Sequence, residues 1–220
     1  MTSTASARSS DDTRRQLLEA GLELFSAHGY DGVTTRALAA HGQVNQSAIP
    51  YHFGGKEGVY LAIADSICSA LHARLMPLLA QADASDAPAQ ALPDLLAGLF
   101  RLGQADPINR QRFAIMMFEQ QHPGRAFEQF DTRLFSPIID TLTRLIRALE
   151  DSDQDPIDAR VQAHVALGLT STFVSGRASI ESRFGTDGRL TEATVQRIED
   201  AIRCLANDLV TGMTARCART

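Results

Sequence analysis

Between Thr34 and Lys56 the chain gathers side chains suited to holding a polyanion rather than to turning over a substrate. Asn45, Gln46 and Ser47 are short donor–acceptor groups able to pair with base edges or phosphate oxygens, and Tyr51 lies on the same side of the segment. Lys56 opens a helical stretch, where unpaired backbone N–H groups already favour an anion. It is the only lysine among 21 basic residues, and a compact ammonium suits a phosphate where arginine's planar fork fits a helix terminus poorly.

Two short helices must position these groups. Thr34 is a good N-cap for a helix with apolar residues Leu38 and Ala39, and Gly42 is expected to supply a positive-φ stop. Val44 anchors the turn, and Asn45 caps a second helix whose Ile49 and Phe53 share one face. Gln46, Ser47, Pro50 and Tyr51 are left on the other side. Two short helices joined by a glycine turn form a helix-turn-helix, which places its second helix in the major groove. Pro50 deletes a backbone bond to Gln46 and predicts a kinked or tight first turn.

The residues themselves carry a closer likeness. A glycine, Val44, Ile49, Tyr51-His52-Phe53 and Lys56-Glu57 at their observed spacing resemble the DNA-binding signature of the TetR family of bacterial regulators. The resemblance covers residues 13 to 62, including a first helix with Phe25 and a Gly29-Tyr30 turn, and is most similar to a subgroup related to regulators of antibiotic sensitivity. It implies phosphate contacts from Thr34, Thr35, Tyr51, His52 and Lys56, and places Arg36, Asn45, Gln46 and Ser47 near bases. It further implies a homodimeric repressor that binds a palindromic double-stranded operator and leaves it when a small-molecule effector binds.

Composition sets bounds. The formal charge is −5, and residues 1 to 60 hold five basic and six acidic side chains, so any DNA-binding face is a local feature. No stretch is expected to reach the roughly 20 apolar residues of a membrane span. Three scattered cysteines fit a reducing cytoplasm and neither a disulfide framework nor a metal cluster. Glu119 and His122 have the spacing of a carboxylate-bridged metal site but lack a second copy. No serine elbow or phosphate-cradling glycine loop occurs, so the expectation is no enzyme, no metal and no cofactor.

The remaining chain is periodic at helical spacing, which predicts an all-α fold of about nine helices. Expected spans are 12–28, the two short helices, 56–80, 93–104, 107–121, one helix over 125–150 bent by Pro137, 155–184, and a last one capped by Thr191. Residues 1–10 read as a disordered tail, 11–58 as a three-helix DNA-binding domain, and 59–220 as a larger effector-binding and dimerisation domain. Phe100, Phe113, Met116, Met117, Phe127, Phe130 and Phe173 are candidates to line an apolar effector pocket, with Arg177 for an anionic group or a neighbouring acid. Gly168, Ser175 and Gly176, with Ile202, Leu205 and Leu209, are candidates for a two-fold four-helix interface. The competing expectation is a helical carrier or enzyme whose first helices only resemble a DNA reader.

Overall fold

The computed structural model describes residues 3–104, 107–150, 156–185 and 190–217, and every regular element among them is helical. In chain order they are α1 (Ser3–His28), α2 (Thr35–His41), α3 (Ala48–Phe53), α4 (Lys56–Asp83), α5 (Pro88–Gln104), α6 (Pro107–Gln121) and α7 (Phe127–Phe130). A π-turn over Asp131–Phe135 leads to α8 (Ser136–Leu149), followed by α9 (Pro156–Ser175), α10 (Arg177–Phe184) and α11 (Glu192–Cys217). The span of α1 includes residues 3–10, which composition gives no reason to order.

The chain forms two compact units. The first comprises residues 1–70 and 108–131. Its core is Leu17, Phe25, Leu38, Ile49, Tyr60 and Ile63, with Met116 and Phe130 from the later segment. Gly21 lets α1 approach α4 closely, since a Cβ there would lie 2.5 Å from the Ile63 side chain. The second unit comprises residues 71–107 and 132–220, where α5 packs on α8, α9 and α11 around Leu92, Leu96, Phe100, Leu142, Ile146 and Ile202. Arg101 ties α5 to α11 through Glu192 and Glu199, both at 2.5 Å, and Arg203 pairs with Asp94 and Glu199.

Four expectations are corrected. The stretch between the expected helices over 56–80 and 93–104, rich in Ala, Asp, Ser and Pro as a loop would be, is mostly helix: α4 continues to Asp83 and α5 starts at Pro88. Ser85 Oγ accepts the Ala87 N–H at 3.2 Å just before that start, and Pro88 at the first helical position loses no intrahelical bond. The single helix over 125–150 is instead α7, a wide π-turn and α8, with Pro137 in the first turn of α8, because proline cannot donate to the turn before it. The helix over 155–184 breaks at Gly176, which separates α9 from α10. Finally, α4 is long and apolar enough to cross a membrane by length and composition. Its Tyr60, Ile63, Ile67, Leu71, Leu75 and Leu79 are nevertheless buried inside the protein, as in a core helix.

Candidate nucleic-acid interface

Thr34 caps α2 as expected: its backbone is extended (φ −104°, ψ 158°), and its Oγ1 accepts the Ala37 N–H at 3.1 Å. The stop at the other end differs from expectation. Gly42 has φ −74°, and Gln43 adopts the left-handed conformation at φ 54°. The Val44 N–H then reaches back to the Ala39 carbonyl at 3.0 Å and Gln43 N–H to Ala40 at 3.3 Å, closing the helix with a Schellman turn. Gly42 serves a different need: a Cβ there would sit 3.3 Å from the carbonyl oxygens of Gln16 and Leu38, where α1 and α2 come together.

Asn45 begins the turn into the reading helix but does not cap α3 directly. Its Oδ1 accepts both the Ser47 N–H at 3.0 Å and the Ser47 hydroxyl at 2.9 Å, an Asx turn that sets the entry angle. The α-helix itself starts at Ala48, with no side-chain cap from Ser47. The Ile49 N–H bonds to Gln46 O at 3.2 Å, so the first turn is tight, as the proline predicts. Pro50 is the third residue of α3, so the bond to Gln46 that it cannot make lies at the start of the helix, where the loss is tolerated. Ile49 is fully buried beneath α3, whereas Tyr51 is 81% exposed.

The candidate contact residues come together on this part of the first unit. The Gln46 side-chain amide donates to Thr35 Oγ1 at 3.1 Å, linking the head of α3 to the first turn of α2. Arg36, Asn45, Gln46, Ser47 and Tyr51 are exposed, and His52 is half-buried with its ring edge-on to Tyr51 at 4.8 Å. Lys56 has an internal task that the sequence did not reveal. Its ammonium donates to the carbonyls of Tyr30 at 3.0 Å and Val33 at 2.9 Å, and lies 4.0 Å from the Tyr30 ring centre. It therefore staples the turn after α1 to the start of α4, and two of its three N–H groups are used in doing so.

Three further residues in this unit have roles that the sequence reading did not give. Arg125 stacks on Tyr30 at 3.9 Å and pairs with Glu57 at 3.5 Å. Glu119, 3% exposed, accepts the Tyr60 hydroxyl at 2.7 Å and the N–H groups of Gly124 and Ala126 at 3.0 and 3.2 Å. Those bonds, rather than a metal, explain its carboxylate, while His122 stacks on Phe118. Burial, reinforced by the Glu119 bond, raises the Tyr60 phenol far above its ordinary pKa. Gly58 is the third: a Cβ there would run into the Phe53 carbonyl oxygen, so only glycine lets α4 begin directly beneath the end of α3. The Gly54 and Gly55 turn, with φ 73° and 147°, completes this connection.

The apolar candidates divide between the units. Met116 and Phe130 are buried in the first unit, with Phe113, Met117 and Phe127 half-buried there. In the second unit, Phe100 is buried and meets Phe173 edge-on at 5.8 Å, while the Arg177 side chain lies outside the described residues. Among the interface candidates, Ile202 is spent within the core of its own unit at 1% exposure, and Gly176 forms the break before α10. Leu205 is 53% exposed, Ser175 is exposed, Leu209 is half-buried, and a Cβ on Gly168 would meet open space.

Residues 17–63 match the family described as bacterial regulatory proteins, tetR family. Residues 88–213 match the C-terminal domain of the HTH-type transcriptional dual regulator CecR. The CecR regulator of Shigella flexneri is 28% identical over 215 residues, covering 94% of this chain and 95% of its own. The HTH-type transcriptional repressor NicS of Pseudomonas putida is 30% identical over 118 residues, covering 54% of this chain and 53% of its own. The crystal structure of AibR in complex with isovaleryl coenzyme A and operator DNA shares the fold, with a TM-score of 0.65 at 19% identity over 88% of this chain and 97% of that one.

Proposed function

Because the chain belongs to the TetR family of DNA-binding transcriptional regulators, we propose that it is a homodimeric repressor, released from a near-palindromic operator by a small, largely apolar molecule. The observation that carries this reading is the exposed face of α2 and α3. Tyr51 projects from it at 81% exposure beside Asn45, Gln46 and Ser47, over a buried Ile49. Arg36, Asn45, Gln46 and Ser47 meet bases; Thr34, Thr35, Tyr51 and His52 meet phosphates; and Lys56 offers its third N–H to a phosphate while it braces the turn before α2. DNA reading belongs to residues 11–58, and effector binding and dimerisation to residues 59–220.

A second copy supplies the other reading head. Ile157, Val161 and Val165 recur at four-residue spacing along α9 and are 66%, 55% and 61% exposed, an apolar stripe that water leaves unpaired. Pairing there, together with Leu205 of α11, sets two reading helices about one turn of DNA apart, or a multiple of it. The effector acts through α4, one helix from Lys56 to Asp83 whose residues are shared between the two units. Coupling of about 1–3 kcal/mol lowers operator affinity some 5- to 150-fold, and operator weakens effector binding by the same factor. The protein works in the cytoplasm, beside the chromosome.

The dual-regulator description of the CecR relative favours a second reading, in which the same DNA binding activates some promoters as well as repressing others. The test is to sequence genomic fragments captured by the purified protein and confirm them by mobility shift. Enrichment of a short inverted repeat is expected. Capture of bulk DNA without a shared repeat would overturn the proposal, and reporter transcription from the enriched promoters, with and without the protein, separates the two readings.

A further inference from the structure

The second unit contains a cavity of about 500 Å³ where α4, α5 and α11 meet, a volume within the range of small-molecule sites. Its apolar wall is Leu78, Leu102, Leu190 and Val195, and none of the aromatic and methionine candidates from the sequence lines it. Two polar groups there stand out. The Gln104 side-chain nitrogen is buried and has no hydrogen-bond partner among the described residues, a donor left without an acceptor. Arg74 is exposed and forms no ion pair among the described residues. The other cation in the wall, Arg101, is already held by Glu192, Gln196 and Glu199.

A buried amide donor and an exposed guanidinium with no ion pair among the described residues suit an acceptor carrying negative charge. Among the described residues, one unpaired cation and one neutral donor match a monoanion rather than a dianion, since the acids around Arg101 repel extra negative charge. The branched side chains of the wall call for an alkyl body. We propose that this cavity binds a medium-chain carboxylate, with its headgroup on Arg74 and Gln104 and its chain over Leu78, Leu102, Leu190 and Val195. The site deepens the effector reading by naming the ligand class, and it rests on that reading only for its consequence at DNA.

Binding is measured first without DNA, by calorimetry with octanoate and with 1-octanol, which has the same chain and no charge. Octanoate should bind the wild-type protein clearly more tightly than octanol does. Arg74→Ala and Gln104→Leu, with helical content checked by circular dichroism, should each weaken octanoate about ten-fold or more while leaving octanol unchanged. No binding of octanoate, equal binding of acid and alcohol, or unchanged binding in folded Arg74→Ala and Gln104→Leu would each overturn the site. A mobility shift on the captured operator fragment follows. Octanoate-driven release that disappears in Arg74→Ala supports the site as the effector site. Tight binding that leaves the DNA complex intact supports the cavity and counts against the effector reading alone.

Discussion

Gln43 holds a left-handed backbone at the end of α2, with φ 54°, a conformation that disfavours any residue with a Cβ. Gln43→Gly should therefore raise stability by about 0.5–1 kcal/mol, read as a higher urea midpoint at unchanged slope. A lower midpoint would mean that the glutamine side chain contributes more than its backbone loses. The sequence pointed to Gly42 because glycine is the commonest left-handed stop; it could not reveal that α1 crowds this position and passes the strain to its neighbour. Tyr60 is the second residue whose environment decides its chemistry. Its folded pKa lies above the ordinary 10.0, so the unfolded chain gives up the proton first as pH rises. The stabilisation from this phenol is complete below about pH 10 and is lost above it as pH climbs toward the folded value. Tyr60→Phe should flatten the fall in denaturation midpoint between about pH 9 and about pH 11. An equally steep fall in the variant would assign the alkaline loss to other groups. No local pattern connects Tyr60 with Glu119, fifty-nine positions away, so this pair could not be read from sequence.

At the scale of elements, the joint between α3 and α4 decides where the reading helix lies. Gly58→Ala drives a methyl group into the Phe53 carbonyl, and backbone cannot yield as a side chain tip can. The expected loss is about 1–3 kcal/mol of stability, with operator binding weakened even where the protein remains folded. Calorimetric melting and a mobility shift on the same variant check it, and a fully wild-type melt would mean that α4 slides to absorb the methyl. The helix-turn-helix was legible because the Thr34 cap and the apolar pair Ile49 and Phe53 lie within two dozen residues, although neither Gly42 nor Asn45 plays the part expected of it. Helix limits farther along were less so. Pro93 looked like a start but lies inside α5, because the preceding Pro88-Ala-Gln-Ala stretch forms helix readily after the Ser85 turn. Pro137 did disrupt its helix, but through a π-turn that splits it rather than a bend that preserves it.

For the whole molecule, the α9 stripe is the feature that asks for a partner copy. Val161→Glu and Val165→Glu put charge on positions 55% and 61% exposed, so the fold should survive while sedimentation reports a monomer with weakened operator binding. A wild-type dimer mass in both variants would move the interface elsewhere. Ile202→Glu should behave differently and unfold the chain, because that side chain is already enclosed at 1% exposure. Sequence periodicity placed Ile202 and Leu205 on helical faces but could not say which face the chain would keep for itself. One consequence of the aromatic cluster of Phe25, Tyr30 and Tyr60 is optical. The chain has no tryptophan, and its three tyrosines, Tyr30, Tyr51 and Tyr60, all lie in the first unit. Under excitation that selects tyrosine, its emission therefore comes from the first unit, with one fluorophore in water and two packed beside charged groups. Nature has thus labelled one unit of this regulator and left the other dark, so a titration followed at tyrosine wavelengths sees the reading head alone.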